Sequence, residues 1–260
     1  MSIYLAIMLP FLGTTLGSAM VFFVKDKLND KVQNGLLGFA SGVMVAASVW
    51  SLIIPAMDLS SHMGKLAFIP AVIGFLLGMG FLLLMDEVVP HLHIITNEQE
   101  GMKANLKRTT MLMLAMTIHN FPEGAAAGAV LIGVLSENAV ITFSGALALS
   151  LGIAIQNFPE GAVISLPLVG EGMSKTKAFF MGMMSGIVEP IAAIMTFMFA
   201  SSMDAILPYL LSFAAGAMIL VAVHELIPEC QQDKKTQPYS ATMGIISGFA
   251  VMMLLDVMLG

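Results

Sequence analysis

Charge is what this 260-residue chain has least of. Asp, Glu, Lys and Arg together make up 11% of it, under half of the roughly 25% usual in soluble domains. A water-soluble fold could not cover its surface with so few. The 11 basic residues form no patch of useful size, which excludes nucleic acid as a partner. The single cysteine, Cys230, excludes an internal disulfide and a metal site built from several cysteines. What fills the chain instead is apolar: 58% hydrophobic residues, with 24 Gly and 24 Met. That composition also rules out a disordered chain. The chain is an integral membrane protein whose surroundings are the lipid bilayer, and its chemistry has to be sought in the few polar residues kept inside apolar runs.

About 20 predominantly apolar residues cross a hydrocarbon core about 30 Å thick. Eight such runs fit, over residues 3–24, 32–57, 66–86, 110–135, 139–168, 177–200, 205–229 and 240–259, taken in order as spans 1 to 8. Span 5 is long enough to tilt or to contain a break. No cleavable signal is expected, because Met1-Ser2-Ile3-Tyr4 lacks a basic segment and the first apolar run is long enough to span. The connections are short, so residues 1–260 form a single transmembrane domain. Lys25, Lys27, Lys31, Lys103, Lys107, Arg108, Lys175, Lys177, Lys234 and Lys235 all fall on one side of the membrane, and only Lys65 falls on the other. By the positive-inside rule that side is cytoplasmic, and both termini face outward.

The sequence repeats itself in order. Gly13-x-x-x-Gly17 parallels Gly182-x-x-x-Gly186, Phe39-Ala40-Ser41-Gly42 parallels Phe213-Ala214-Ala215-Gly216, and Gly74-x-x-x-Gly78 parallels Gly244-x-x-x-Gly248. Spans 1–3 thus match spans 6–8. Five spans separate each pair, an odd number, so the two triplets run in opposite directions, as in many secondary transporters. The Gly-x-x-x-Gly pairs are expected to pack helices within one protomer. A closer repeat lies between the triplets: His119-Asn120-Phe121-Pro122-Glu123-Gly124 on span 4 and Gln156-Asn157-Phe158-Pro159-Glu160-Gly161 on span 5. The fold class is therefore an all-α membrane protein of eight transmembrane helices in a 3+2+3 arrangement. Inverted repeats (spans 1–3 and 6–8) flank an antiparallel central pair (spans 4–5).

His119 and Glu123, four apart, share one helical face, with Asn120 on its edge, and Gln156, Asn157 and Glu160 repeat the geometry. Both motifs sit near mid-span. A carboxylate there costs at least a few kcal/mol if left to lipid, so both glutamates must face protein or water. Pro122 and Pro159 each remove an N–H and are expected to kink their helices. Span 6 adds a third midplane acid, Glu189, followed by Pro190. Three acids close together require a cation, protons or both. Imidazole and carboxylate suit zinc and iron, while amide oxygens suit manganese. Asn120 or Asn157 alone would serve equally as interhelical hydrogen-bond glue. Toward the cytoplasmic side, span 7 carries His224-Glu225-Leu226-Ile227-Pro228-Glu229 and span 3 runs into Asp86, His91 and His93. His224, Glu225, His91 and His93 are candidates for an exit route. Asp86 and Asp256, at helix ends, are expected to be solvated caps.

Together the two Asn-Phe-Pro-Glu-Gly motifs, the Glu-Pro of span 6 and the His-Glu-Leu-Ile-Pro-Glu of span 7 resemble the ZIP (Zrt-, Irt-like) family of divalent metal transporters, in its short-looped, prokaryotic-type branch. The resemblance covers the whole chain. It implies transport of zinc, with iron, manganese, cobalt or cadmium as further substrates, into the cytoplasm across a bacterial inner membrane. It also implies a homodimer, a rocking or elevator-like motion of spans 1, 4, 5 and 6 against the rest, and metal as cargo with no prosthetic group. Mapped by motif, His119, Glu123, Gln156 and Glu160 would hold a first metal. Asn120, Glu123, Asn157, Glu160 and Glu189 would surround a second, with the glutamates bridging. His224, Glu225 and the His91/His93 pair match the family's release route. Some relatives have Asp where this chain has Asn157, which makes the second position less negative here. Two other classes compete: an intramembrane di-metal enzyme and a cation-coupled carrier of an organic solute. The chain lacks a His-Glu-x-x-His motif and the paired Glu-x-x-His of di-iron bundles, and His119 beside two glutamates favours a softer metal than sodium.

Overall fold

A chain that crosses hydrocarbon must satisfy its backbone internally, and a helix does so within one segment. The computed structural model describes residues 3–24, 28–92, 99–136, 140–200, 204–231 and 239–259. Eight helices in it are long and apolar enough to cross a membrane: Tyr4–Phe22, Asp30–Leu59, Phe68–Val88, Arg108–Leu135, Phe143–Gly170, Lys175–Phe199, Leu207–Gln231 and Tyr239–Leu259. They coincide with spans 1 to 8 to within a few residues. The protein is an all-helical, multi-pass membrane protein. One small departure is a two-stranded hairpin after span 3, in which β1 (His91–Leu92) pairs antiparallel with β2 (Gln99–Glu100), His91 opposite Glu100. His93, Lys25, Lys27, Lys234 and Lys235 lie outside the described residues.

The prolines sit in their helices in different ways. Spans 4 and 5 stay helical through Pro122 and Pro159, so neither motif ends its helix. The break falls in span 6, between Lys175–Ser185 and Val188–Ala200. Pro190 has no N–H to offer Gly186, and the Glu189 N–H turns to the Gly186 carbonyl at 3.1 Å in place of its usual partner four residues back. The Ser185 carbonyl, four residues before Glu189, is left without its helical partner. Spans 2 and 7 absorb their prolines another way. Each carries a stretch of wide π-helix, Ser48–Ile53 and Val221–Leu226, just ahead of Pro55 and Pro228. There the Ile54 and Ile227 N–H groups reach back five residues, to Val49 and Ala222. Such turns recur at functional sites.

Small residues decide which helices meet. Span 1 presses Gly13 and Gly17 onto the backbone of Ala154 and Phe158 in span 5, and span 4 presses Gly124 and Gly128 onto Glu189 and Ala193 in span 6. Gly74 and Gly78 of span 3 face Tyr209 and Phe213 in span 7, while Gly244 and Gly248 of span 8 face Gly35 and Phe39 in span 2. Any side chain at these glycines would strike a neighbouring backbone, so the pairs pack within the protomer. Spans 1, 4, 5 and 6 pack on one another, as do spans 2, 3, 7 and 8; the two groups meet chiefly where span 5 crosses spans 2 and 8 and span 4 crosses span 7. Span 4 is the innermost helix, 83% of its apolar window buried, whereas span 8 is 17% buried and turns its apolar face outward.

Candidate metal centre

The two motif helices, the break in span 6 and the glycine-backed approach of span 1 converge on one point. His119, Asn120, Glu123, Gln156, Asn157, Glu160 and Glu189 all lie there, and none is more than 4% exposed. Glu123, Glu160 and Glu189 lie close enough to interact electrostatically with one another. The Gln156 Nε2 donates to Glu123 Oε1 at 2.6 Å. Asn120 Nδ2 donates twice, to Glu189 Oε1 at 3.0 Å and to the Ser185 carbonyl at 3.2 Å. The amide thus caps the carbonyl freed by the break and ties span 4 to span 6.

Those bonds leave several oxygens of the cluster open. Asn120 Oδ1, Glu123 Oε2, Gln156 Oε1, Asn157 Oδ1, Glu160 Oε1 and Glu189 Oε2 are buried oxygens with no hydrogen-bond partner. A buried polar atom left unpaired costs about 1–3 kcal/mol, more if charged. These six oxygens, one from each of six residues, outnumber the one unpaired donor among them, Asn157 Nδ2. Carboxylate and amide oxygens without donors are the kind of group that a cation satisfies.

His119 sits at the edge of this group. It keeps Coulombic contact with Glu123, but its Nε2 lies 2.5 Å from Glu225 Oε2. It therefore joins the midplane residues to span 7 and is not turned wholly inward among the carboxylates. Glu225 is itself buried. His224, the next residue, is exposed and lies 3.9 Å from Asp86 Oδ2. Asp86 also lies 3.0 Å from His91 Nε2, and Glu100 of β2 lies 3.9 Å from the same nitrogen. Ligand atoms of Asp86, His91 and Glu100 come within 4.8 Å of one another, close enough to share one ion. Burial by itself would lower the basicity of the His91 imidazole. Asp86, the Val89 carbonyl bonded to Nδ1 at 2.8 Å, and Glu225 outweigh it and hold the group above its ordinary value.

The structure thus brings six of the predicted residues into one cluster, and His119, Glu225, His224 and His91 follow it in sequence toward one end; His93 falls outside the described residues. Two expectations change. Asp86 is part of a histidine cluster and not a solvated cap. Asp256 is half-buried and accepts from Ser51 Oγ at 2.5 Å. Two further residues were not anticipated. Glu100 had no sequence signal, since an acid in a polar loop is usually solvated. Thr14 donates from Oγ1 to Glu189 Oε1 at 2.9 Å; its position between Gly13 and Gly17, where span 1 is pressed against span 5, is a signal that was there to be read.

Known proteins match this chain along most of its length. The family described as ZIP Zinc transporter matches residues 91–256. This chain belongs to the ZIP family. It is 37% identical to zinc transporter ZIP11 of Xenopus tropicalis, over 95% of this chain and 94% of the relative. It is 35% identical to zinc transporter GufA of Myxococcus xanthus, over 95% and 96%, and 34% identical to zinc transporter ZupT of Chlorobaculum parvum, over 94% and 92%. A ZIP protein is a transporter, so the enzyme reading falls.

Proposed function

We propose that this ZIP protein carries divalent transition-metal ions, zinc above all, across the membrane into the cytoplasm through a two-metal centre between spans 4 and 5. The single observation that carries the reading is the cluster of residues with six unpartnered buried oxygens. Inside a bilayer such a cluster is costly unless a cation visits it. The names of the relatives, zinc transporters all, support zinc as the principal cargo. Iron, manganese, cobalt and cadmium offer the same charge to the same oxygens. Glu123, Gln156 and Glu160 hold the first metal, with His119 joining when it leaves Glu225. Asn120, Glu123, Asn157, Glu160 and Glu189 hold the second, with the glutamates shared.

Ion release then follows from His119 to Glu225 and His224, and on to the cluster of Asp86, His91 and Glu100. The basic residues at that end orient it toward the cytoplasm. We place the protein in a bacterial inner membrane with both termini outside, as a homodimer. Alternating access comes from movement of spans 1, 4, 5 and 6 against spans 2, 3, 7 and 8. Corresponding contacts support an inverted repeat: Gly42 meets Ile245 as Gly216 meets Phe75, and Gly248 meets Phe39 as Gly78 meets Phe213. The π-helices of spans 2 and 7 also fall at matching places. Zinc uptake into proteoliposomes tests the reading. Glu123→Ala and Glu160→Ala should each reduce uptake to that of empty vesicles, and parent-like uptake in correctly folded variants refutes the site.

A further inference from the structure

Span 1 contributes no acid, amide or imidazole to the metal centre, yet it supplies a hydroxyl that touches it. Thr14 is 1% exposed. Helical Ser and Thr ordinarily return their hydroxyl to the carbonyl three or four residues back. Thr15 does so with Phe11 at 2.8 Å, and Ser18 does so with Thr14 at 2.8 Å. Thr14 does not. Its proton crosses to Glu189 Oε1, 175 residues away in sequence. Space for that bond comes from Gly186, where an added Cβ would lie 2.9 Å from Thr14 Oγ1 and 3.0 Å from Glu189 Oε1.

Glu189 Oε1 consequently accepts from two donors, Thr14 Oγ1 and Asn120 Nδ2, while Oε2 has none. An ionised carboxylate is acceptor-only, and both donors occupy the same oxygen. The carboxylate is thereby restricted to offering a metal one oxygen. Larger ions with higher coordination numbers gain from carboxylates that bind through both; a compact four-coordinate ion such as zinc does not need it. Building on the metal-centre reading above, we infer that Thr14 is a positioning residue that pins Glu189 to one-oxygen ligation and so favours zinc-sized ions over larger ones.

The test compares zinc and cadmium, each added alone, in equilibrium binding to the purified full-length protein and in proteoliposome uptake. Thr14→Val removes the donor at nearly constant volume, and Thr14→Ser keeps it. Outer-sphere partners of metal ligands are worth about 10- to 100-fold in affinity. T14V should therefore weaken zinc binding and raise its KM by about that factor, weaken cadmium less, and lower the zinc-to-cadmium ratio. T14S should hold the parent ratio. An unchanged ratio in T14V overturns the inference; so does an equal loss in T14S, which would mean that Thr14 acts through its methyl group. If T14V does not insert, Thr14→Ala reads the same ratio. Gly186→Ala, which crowds the same bond, should move the ratio in the same direction. Glu123→Ala keeps the two readings apart. If it binds zinc like the parent, the metal centre itself fails; if it loses zinc while T14V leaves the ratio unmoved, only the role of Thr14 fails.

Discussion

His91 shows how a residue of uncertain role acquires one from its surroundings. An imidazole just past a helix end is ordinarily solvated, but here it is buried between the Asp86 carboxylate and the Val89 carbonyl. Both ring nitrogens face oxygen, an arrangement that suits the imidazolium. Its folded basicity is accordingly raised, and the sign of the pH effect follows. The stabilisation is full below the unfolded value of about 6.5 and is lost as pH rises through the higher folded value. In zinc-free protein, protection of the Leu92 amide against hydrogen exchange, corrected for intrinsic rates, should hold below that pH and fall above it. Asp86→Asn should flatten the profile. Protection that rises with pH would contradict the pairing.

At the level of elements, helices in lipid gain little from burying apolar surface against one another, so close backbone approach decides their partners. Gly78 and Gly248 illustrate this at corresponding places in spans 3 and 8, each backed onto a phenylalanine carbonyl, of Phe213 and Phe39. Backbone cannot rotate away as a side chain can. Gly78→Ala and Gly248→Ala should each destabilise the protein by about 1–3 kcal/mol, read as a lowered midpoint of thermal unfolding in detergent. Gly80, two residues from Gly78, has open space around it, and Gly80→Ala should stay within about 0.5 kcal/mol of the parent. Equal effects at positions 78 and 80 would mean that helix propensity, not packing, is being measured. The motif helices follow the same logic on the other side: Phe121 stacks near Phe81, which in turn meets Phe213, so span 4 bears on spans 3 and 7 through rings.

For the whole molecule, the question is what moves. Span 5 meets the other helical group at Gly152, whose missing side chain leaves a notch filled by the Met252 thioether of span 8. Met is an adaptable filler for such a gap, and a helix that slides past span 8 must leave it. A disulfide between Gly152→Cys and Met252→Cys should therefore stop zinc uptake until a reductant is added. Kept reduced, this variant should transport, and the parent should be indifferent to the oxidant. Transport that persists in the oxidised variant would exclude relative motion at that contact.

Length, hydropathy and the spacing of two Asn-Phe-Pro-Glu-Gly motifs determined the eight spans and pointed to most of the candidate site, because helix periodicity places residues three and four apart on one face whatever the neighbours are. The glycine pairs could be read as packing seams for the same reason. Which helix met which seam could not. Nor could the break in span 6, since Pro122, Pro159 and Pro190 look alike in sequence, and only at Pro190 does Asn120 wait to cap the carbonyl that a break sets free. Thr14 and Glu100 were hidden for other reasons. Thr14 acts on Glu189, 175 residues away, and the sequence carries no record of distance between residues that only packing brings together; Glu100 is near His91 in sequence, but only the pairing of β1 with β2 sets the two opposite each other. The scarcity of charge had already assigned this chain to the membrane; the tertiary structure decided that six of its rare polar side chains are buried in one cluster with oxygens left unpaired.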